Sequence, residues 1–259
     1  MTGARTLTEA VAARLPPSLA TYGTRVAVGP CDADACPAAC LRDPACLDRI
    51  LAGFGAAYAP EAPEGAPPDR RSLVSLWSQT WLAALVIPSA TALLCLGRAL
   101  PVALDAVAFE LDGTHTLARF VLPAEAPASG GFAGLVDDHL DPFIGLCAAA
   151  TGISPRALWG NAGVMLDFAV SELAASGPVL PGPAAEAAAL LGRHSSDWHS
   201  SDRSPCAAAP DCPLARTFRG PGRPRRVCCL RYRLPGVPSC GALCPADTGP
   251  AQPQTETPC

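Results

Sequence analysis

An uncharged stretch from Ser72 to Gly97 constrains the fold of this chain more than any other part of the sequence. Its length and apolar composition would suit a membrane-spanning helix, but Pro88 divides it and polar side chains such as Ser75 and Gln79 are scattered through it. We therefore expect two buried helices that are joined at Pro88 and lie at the centre of a packed core.

The remaining sequence indicates further helices around that core. Hydrophobic residues make up 49% of the 259 residues and charged residues 16%, a composition that excludes a disordered chain. Thr6 and Glu9 form a capping box for a first helix. Further helices are predicted over about 46–58, 132–150 and 155–175, and a short alanine-rich helix follows the Pro/Gly linker at about 177–183.

Between Ala106 and Leu122 the apolar residues alternate along the chain around an Asp112–Gly113 turn, which predicts a β-hairpin. The fold class that follows is α+β. We expect a predominantly helical main domain with a β-hairpin or small antiparallel sheet, plus a small C-terminal cysteine-rich segment.

The chain has 13 cysteines, and four of them lie close together in a basic, proline-rich segment: Cys228, Cys229, Cys240 and Cys244. The N-terminal sequence has Arg5, Glu9 and Arg14 where an export signal would need an unbroken apolar stretch. We therefore expect a cytoplasmic protein. Clustered cysteines in that compartment bind metal or do redox chemistry more often than they form disulfides.

Four such thiolates can hold a structural zinc ion or an iron–sulfur cluster. Zinc sites of the knuckle type use two pairs of ligands, each pair separated by about two to four residues. The adjacent Cys228 and Cys229 fit that pattern poorly, because neighbouring side chains diverge along an extended backbone. A cluster with two irons is larger than one ion, so its ligand sulfurs can lie further apart. The Pro/Gly-rich loop from Leu230 to Ser239 would fold the second cysteine pair back onto the first. The spacing favours iron–sulfur over zinc, and simple burial of four thiols is the third alternative.

The run CCLRYRLPGVPSCGALC, from Cys228 to Cys244, resembles the C-terminal motif of the FhuF-type ferric-siderophore reductases. Three further runs are similar to that family's N-terminal domain in content and order: LWSQTWLAALVIPSA from Leu76, LDAVAFELDG from Leu104, and HLDPFIGLCAAATGISPRALWGN from His139. The resemblance covers roughly residues 70 to 245.

The resemblance implies that Cys228, Cys229, Cys240 and Cys244 ligate a [2Fe-2S] cluster. In the family the closing pair is separated by two residues, whereas three residues separate Cys240 from Cys244, and we expect Gly241 to absorb the difference. The alternatives for the fourth ligand are Cys206, Cys212 and Cys259.

The activity that the resemblance implies is one-electron reduction of Fe(III) in a siderophore, of the hydroxamate type on our expectation, with release of Fe(II) in the cytoplasm. Ferric ion is hard and binds oxygen donors tightly, whereas ferrous ion is held more weakly. The sequence has no flavin or nicotinamide fingerprint, so we expect an external electron donor, a ferredoxin or a flavin reductase. The resemblance leaves room for peripheral association with the inner membrane, where transported siderophores emerge.

Four divisions of the chain follow from these patterns. They are an N-terminal helical and cysteine-rich extension (1–69), a main helical α+β reductase domain (70–193), a basic C-terminal [2Fe-2S]-binding segment (194–246) and a disordered tail (247–259).

Seven arginines and no acidic residue occur between Cys212 and Ala246, although the whole chain carries a formal charge of −4. We interpret this basic segment as a docking surface for an acidic electron donor or an anionic iron complex. Two other function classes stay open, a zinc-stabilised nucleic-acid-binding or other binding module and an iron–sulfur sensor of iron or redox state. Against nucleic acid, the chain is acidic overall and the segment has few stacking aromatics.

A second set of cysteines, in the run CDADACPAACLRDPAC, consists of Cys31, Cys36, Cys40 and Cys46. Their spacing matches no metal-binding pattern, so we expect incidental thiols in a loop and keep a second metal site as the alternative. Trp77 and Trp81 are four residues apart on a predicted helix, which is typical of core packing and less often of a siderophore pocket. The histidines, including His139, are expected to be ordinary polar residues rather than iron ligands.

Overall fold

The structure is a computed structural model, and it describes residues 6–29, 35–58, 67–123, 131–193, 212–219 and 224–245. The predicted disordered tail (247–259), Cys31, Cys206 and Cys259 lie outside the described residues. His194, Trp198 and His199 lie outside them as well.

Helices make up most of the described chain, as the sequence predicts. The described residues form seven α-helices: α1 (Leu7–Ala12), α2 (Pro44–Ala56), α3 (Arg70–Leu96), α4 (Ala133–Leu135), α5 (Asp141–Thr151), α6 (Pro155–Ser176) and α7 (Pro181–Leu190). A π-helical turn at Val136–Leu140 joins α4 to α5. The predicted capping box is present, because Thr6 N donates to Glu9 Oε2 and Glu9 N donates to Thr6 Oγ1.

The uncharged stretch forms one continuous helix, α3, so the expectation of two helices joined at Pro88 is wrong. Proline removes one backbone hydrogen bond, but tertiary packing decides here, since nearly every residue around Pro88 is buried. Thr91 Oγ1 donates to the carbonyl of Ile87 at 2.8 Å. Among the described helices, α3 alone is long and apolar enough to cross a membrane, and 78% of its apolar window is buried within the protein.

The predicted hairpin is present as β3 (Ala108–Leu111) and β4 (Leu117–Leu122). Two strands that the sequence did not reveal, β1 (Val26–Val28) and β2 (Cys36–Pro37), extend it to a four-stranded sheet of order β1-β4-β3-β2. The pairing of β1 with β4 is parallel, so the sheet is mixed rather than purely antiparallel.

The hairpin packs against α3 through Trp81, which is fully buried together with Trp77. Trp81 stacks on Phe143 at 4.9 Å between ring centroids and meets Phe120 edge-on at 4.7 Å. Its indole Nε1 donates to His139 Nε2 at 3.0 Å. Both tryptophans therefore belong to the core, and His139 is a buried structural residue.

The described part of the C-terminal segment lies against α3 and α6. It contains three short 3₁₀ turns, Pro213–Arg216, Arg231–Arg233 and Gly241–Leu243, and one isolated bridge between Phe218 and Arg225. With so little regular structure of its own, this segment takes its position from the helices beneath it.

Candidate metal centre

The C-terminal segment folds back so that its two cysteine pairs face each other. Leu230, directly after the Cys228–Cys229 pair, has a left-handed backbone with φ of 60°, which turns the chain sharply. Gly236 and Gly241 also have positive φ, and Arg225 N donates to Leu243 O at 3.0 Å. These bends hold Cys240 beside the first pair.

Cys228, Cys229, Cys240 and Cys244 are called the C-terminal thiol site below. Cys229 Sγ lies 3.9 Å from Cys240 Sγ, and two sulfurs on one tetrahedral ion would be about 3.8 Å apart for metal–sulfur bonds of about 2.3 Å. Cys228 Sγ accepts from Leu230 N at 3.3 Å. Cys229 and Cys244 are buried, whereas Cys228 and Cys240 are half-buried.

The four sulfurs are spread more widely than a single zinc ion requires. Among the described His, Cys, Asp and Glu residues, the one group of three ligand atoms that all lie within 4.8 Å of one another is in the N-terminal part of the chain. A tetrahedral ion would draw all four sulfurs inside that limit. The C-terminal thiol site thus offers a donor set of four thiolates that are not gathered around one point, and four thiolates suit an iron–sulfur cluster.

The thiols of this site repel one another once they ionise. Burial, together with the neighbouring thiols of Cys229 and Cys244, raises the pKa of Cys240 to about 12 against the opposing charge of Arg225. Thiolates so close together are stable only with a cation between them. The site is thus chemically suited to a metal group.

Arg225 provides a fixed positive charge beneath the site and is only 3% exposed. Its Nη2 donates to Asn161 Oδ1 at 2.6 Å and to the Ala157 carbonyl at 3.1 Å. Burial lowers the pKa of this guanidinium, and the charges of the four thiols oppose that shift. A buried arginine is costly without anionic neighbours, so the thiolates and Arg225 stabilise each other.

Asn161 connects this arginine to the centre of the protein. Its Nδ2 donates to the Ser75 carbonyl at 2.9 Å and to Ser78 Oγ at 3.1 Å, both on α3. Its Oδ1 is the acceptor for Arg225. One side chain on α6 therefore joins α3 to the C-terminal segment, and the polar residues of the uncharged stretch provide its partners.

Two glycines on α6 allow the segment to approach this closely. A Cβ atom on Gly160 would lie 2.9 Å from Arg225 Nη2, and one on Gly163 would lie 2.0 Å from Thr217 Oγ1. Gly163 has no room for a methyl group, because Thr217 is buried and held by the surrounding segment. Because these two positions of α6 have no side chains, the C-terminal segment packs directly against the helix there.

A cavity of about 280 Å³ opens beside Cys240. Three of its lining residues, Gln79, Arg225 and Arg231, each have a buried side-chain nitrogen that has no hydrogen-bond partner among the described residues. Unpartnered buried N–H groups are costly, and they favour a ligand that carries acceptor oxygens. The cavity thus combines donors for an oxygen-rich ligand with direct access to one thiol of the site.

The basic segment contributes less free charge to the surface than its seven arginines suggest. Arg225 is buried, and Arg233 Nη1 donates to Asp69 Oδ2 at 2.6 Å, at the first turn of α3. Burial alone would raise the pKa of Asp69, but hydrogen bonds from Arg71 and the charge of Arg233 lower it overall. Arg225 and Arg233 therefore have partners within the protein and contribute little to the predicted docking surface.

Reasoning from sequence did not single out Asn161 or Arg225. Asn161 is the only asparagine of the chain and lies on the predominantly apolar helix α6, which was an available signal. Arg225 carried no such signal, because all 19 cationic residues are arginine and no single one stands out. Cys212, an alternative fourth ligand, is buried in the apolar core.

A family model described as "Ferric iron reductase FhuF-like transporter" matches residues 75–234. The chain belongs to this FhuF-like family. The match confirms the resemblance noted in the sequence, and it covers most of α3, the hairpin, α6 and the Cys228–Cys229 pair. It ends before Cys240 and Cys244, so the family match does not cover the closing pair of the motif.

The "Ferric siderophore reductase" of Escherichia coli (strain K12) is similar to this FhuF-like chain. The two are 29% identical over 182 residues, a stretch that covers 67% of this chain and 65% of that relative. The chain thus aligns with slightly less than two thirds of the length of the curated relative.

Proposed function

We propose that this chain is a ferric-siderophore reductase whose C-terminal thiol site binds a [2Fe-2S] cluster through Cys228, Cys229, Cys240 and Cys244. The observation that carries the proposal is the convergence of two cysteine pairs, with Cys229 Sγ and Cys240 Sγ 3.9 Å apart, in a member of the FhuF-like family. The name of the Escherichia coli relative supports the same activity.

When bound, a [2Fe-2S] cluster carries one electron at a time. The chain contributes four thiolates as ligands and the guanidinium of Arg225 as a fixed counter-charge. Asn161 accepts from that guanidinium on the core side, and Ser75 and Ser78 accept from the amide nitrogen of Asn161. Cys229 and Cys244 are shielded from water, while Cys240 borders the cavity and gives the site an open side.

The cavity beside Cys240 suits part of a ferric hydroxamate chelate. Hydroxamate oxygens accept hydrogen bonds, and Gln79, Arg225 and Arg231 offer N–H groups without partners among the described residues. The reaction adds one electron to Fe(III) and yields Fe(II), which oxygen ligands bind more weakly, so the chelate opens. A ferredoxin or a flavin reductase supplies the electron in this proposal, and Fe(II) is released in the cytoplasm.

The proposal is tested by purifying the protein under nitrogen and measuring its iron, acid-labile sulfide, visible spectrum and electron paramagnetic resonance spectrum before and after dithionite. We expect two irons and two sulfides per chain, a brown colour that bleaches, and a paramagnetic reduced state. Ferric hydroxamate siderophore is then added to the reduced protein together with a ferrous chelator. Reoxidation of the protein and formation of the ferrous chelate should follow in equal amounts.

The possible results separate the function classes. A protein without iron and sulfide would contradict the proposal and favour the zinc-stabilised binding module. A bleachable brown protein that ferric siderophore does not reoxidise would instead favour an iron–sulfur sensor. Cys95→Ser, a change to a half-buried thiol on α3, serves as the control for the cysteine variants.

A further inference from the structure

Three thiols near the N-terminus come together although their spacing predicted incidental cysteines. The sulfurs of Cys36, Cys40 and Cys46, called the N-terminal thiol site below, all lie within 4.8 Å of one another. Cys36 Sγ is 3.2 Å from Cys40 Sγ, and Cys40 is disulfide-bonded to Cys46. Cys31, the fourth cysteine of that run, lies outside the described residues.

The sulfurs come from three different elements that are fixed to the sheet and the core. Cys36 is on β2, opposite Phe109 of β3. Cys40 lies in the 3₁₀ turn Ala38–Arg42, whose first backbone N–H donates to the Val107 carbonyl at 2.9 Å. Cys46 lies in the first turn of α2.

Polar contacts also hold the C-terminal end of this turn. Asp43 caps α2, since its Oδ1 accepts from Ala45 N at 3.0 Å, and Arg42 makes two hydrogen bonds to Asp105 at 2.9 and 2.7 Å. These contacts position the backbone around the three thiols in addition to the Cys40–Cys46 disulfide. A ligand that joins the sulfurs would find them already assembled.

A helix start and a path from solvent lie beside the three sulfurs. Cys46 is buried in the first turn of α2, where the backbone dipole stabilises negative charge. Cys36 and Cys40 are half-buried, which leaves a path from solvent to the sulfurs. Among the described residues, no carboxylate or imidazole joins the group, so an ion would have three sulfur ligands and one open position.

We propose that Cys36, Cys40 and Cys46 form a second metal centre, which in the reduced protein binds one Zn²⁺ ion through three thiolates and completes its coordination with water. A dithiol reductant first converts the Cys40–Cys46 disulfide to two thiols, transferring two electrons and two protons and becoming a disulfide itself. Binding of Zn²⁺ then releases about three protons, one from each thiol. Thiolate ligands select this soft ion over Mg²⁺, Ca²⁺ or Mn²⁺.

This centre is independent of the proposed reductase site. It lies outside residues 75–234, which match the family model, and it shares no residue with the C-terminal thiol site. Loss of one metal should therefore leave the other in place, and each proposal can fail without the other.

The test uses the full chain, reduced under nitrogen with a dithiol, incubated with Zn²⁺ and freed of excess ion. Zinc is measured by elemental analysis, and its sulfur ligands are counted by X-ray absorption at the zinc edge, which iron does not obscure. We expect about one zinc per chain with about three sulfur ligands. Cys36→Ser and Cys40→Ser should each lower the affinity at least tenfold, while Cys95→Ser and the pair Cys228→Ser/Cys229→Ser should retain zinc.

Two further measurements exclude misfolding and oxidation as causes of a loss of zinc binding. Circular dichroism of Cys36→Ser, a half-buried position, should match the parent protein, so that loss of zinc reports a ligand. Alkylation and mass measurement show whether the three thiols are free after reduction. The proposal is overturned if the reduced protein binds no zinc, if Cys40→Ser retains it with equal affinity, or if zinc disappears only when Cys228 and Cys229 are replaced.

Discussion

Arg225 Nη2 donates a hydrogen bond of 2.6 Å to Oδ1 of Asn161, the only asparagine in the chain. The Nδ2 atom of Asn161 donates hydrogen bonds to the Ser75 carbonyl and to Ser78 Oγ, both on α3. The C-terminal thiol site is thereby connected to both long helices of the core by one buried polar network. Buried networks of this kind are strongly destabilising when one member is removed, because the remaining groups lose their partners.

Replacing Arg225 with Gln should lower the reduction potential of the metal group at the C-terminal thiol site. A nearby positive charge favours the reduced, more negative state, and removing it should shift the equilibrium by roughly tenfold, on the order of 60 mV for one electron. A redox titration followed by electron paramagnetic resonance measures the shift. Arg219→Gln, which makes the same charge change at an exposed position of the same segment, is the control. Equal potentials in the two variants would contradict the role of Arg225.

Replacing Asn161 with Leu should destabilise the protein by about 3 kcal/mol, because the buried guanidinium of Arg225 loses its acceptor. Adding Arg225→Met should cost less in this background than in the parent, with a coupling energy of about 1 to 3 kcal/mol. Urea unfolding of the parent, both single variants and the double variant provides the cycle. Additive free energies of unfolding would show that the two side chains are energetically independent.

A methyl group at Gly163 should displace the C-terminal segment, since its Cβ would lie 2.0 Å from Thr217 Oγ1. Gly163→Ala is therefore expected to reduce the metal content and the free energy of unfolding. Gly145→Ala is the matched control on an exposed face of α5, where nothing lies within 4 Å of the added Cβ. That control should gain about 1 kcal/mol from its better helix propensity. If both substitutions raised the free energy of unfolding, the C-terminal segment would not pack closely against α6 at Gly163.

Cys244→Ser should prevent assembly of the metal group, because a hydroxyl is a poor replacement for the fourth thiolate. The measurement is iron and sulfide per chain together with the visible spectrum. Cys95→Ser should keep both at the parent level. An intact spectrum in Cys244→Ser would place the fourth ligand elsewhere, with Cys206 and Cys259 as the next positions to replace.

His139 makes stability depend on pH. Burial lowers its pKa from 6.5 to about 4, so between these values the unfolded chain binds a proton that the folded protein excludes. Above pH 6.5 the neutral His139 makes its full contribution to the free energy of unfolding. As the pH falls this contribution is lost, and at pH 5 the loss is about 2 kcal/mol. Urea unfolding at pH 7.5 and pH 5 should show this loss, and His139→Gln should abolish it. His115→Asn, at an exposed hairpin position with positive φ, should keep the parent slope.

Local patterns in the sequence predicted most of the fold. The capping box at Thr6, the hairpin around Asp112 and the helix after Ser154 depend on neighbouring residues, and each is present in the structure. The strands β1 and β2 were missed because they are only three and two residues long and pair with partners distant in sequence. Pro88 was misinterpreted for a related reason, since packing around α3 outweighs the local cost of proline.

The sequence suggested the four cysteines of the candidate site, whose role as ligands stays a prediction, but it did not indicate the residues that support them. Four closely spaced cysteines were enough to suggest a metal group, whereas the contact between Asn161 and Arg225 spans 64 positions and leaves no periodic signal. The N-terminal thiol site shows the same limit, because the 3₁₀ turn at Cys40 brings the sulfurs together in a way that spacing alone does not indicate.

The C-terminal segment has only short 3₁₀ turns and one isolated bridge in its described part, and it rests on Gly160 and Gly163 of α6. During synthesis α3 and α6 leave the ribosome before the last cysteines do, so the surface that orders the thiols forms first. Under the proposed function, maturation of the metal centre is then a late step that depends on a completed helical fold. A chain whose α3 and α6 have not packed would leave its thiols dispersed and would not assemble the proposed cluster, which would link the onset of electron transfer to the quality of folding.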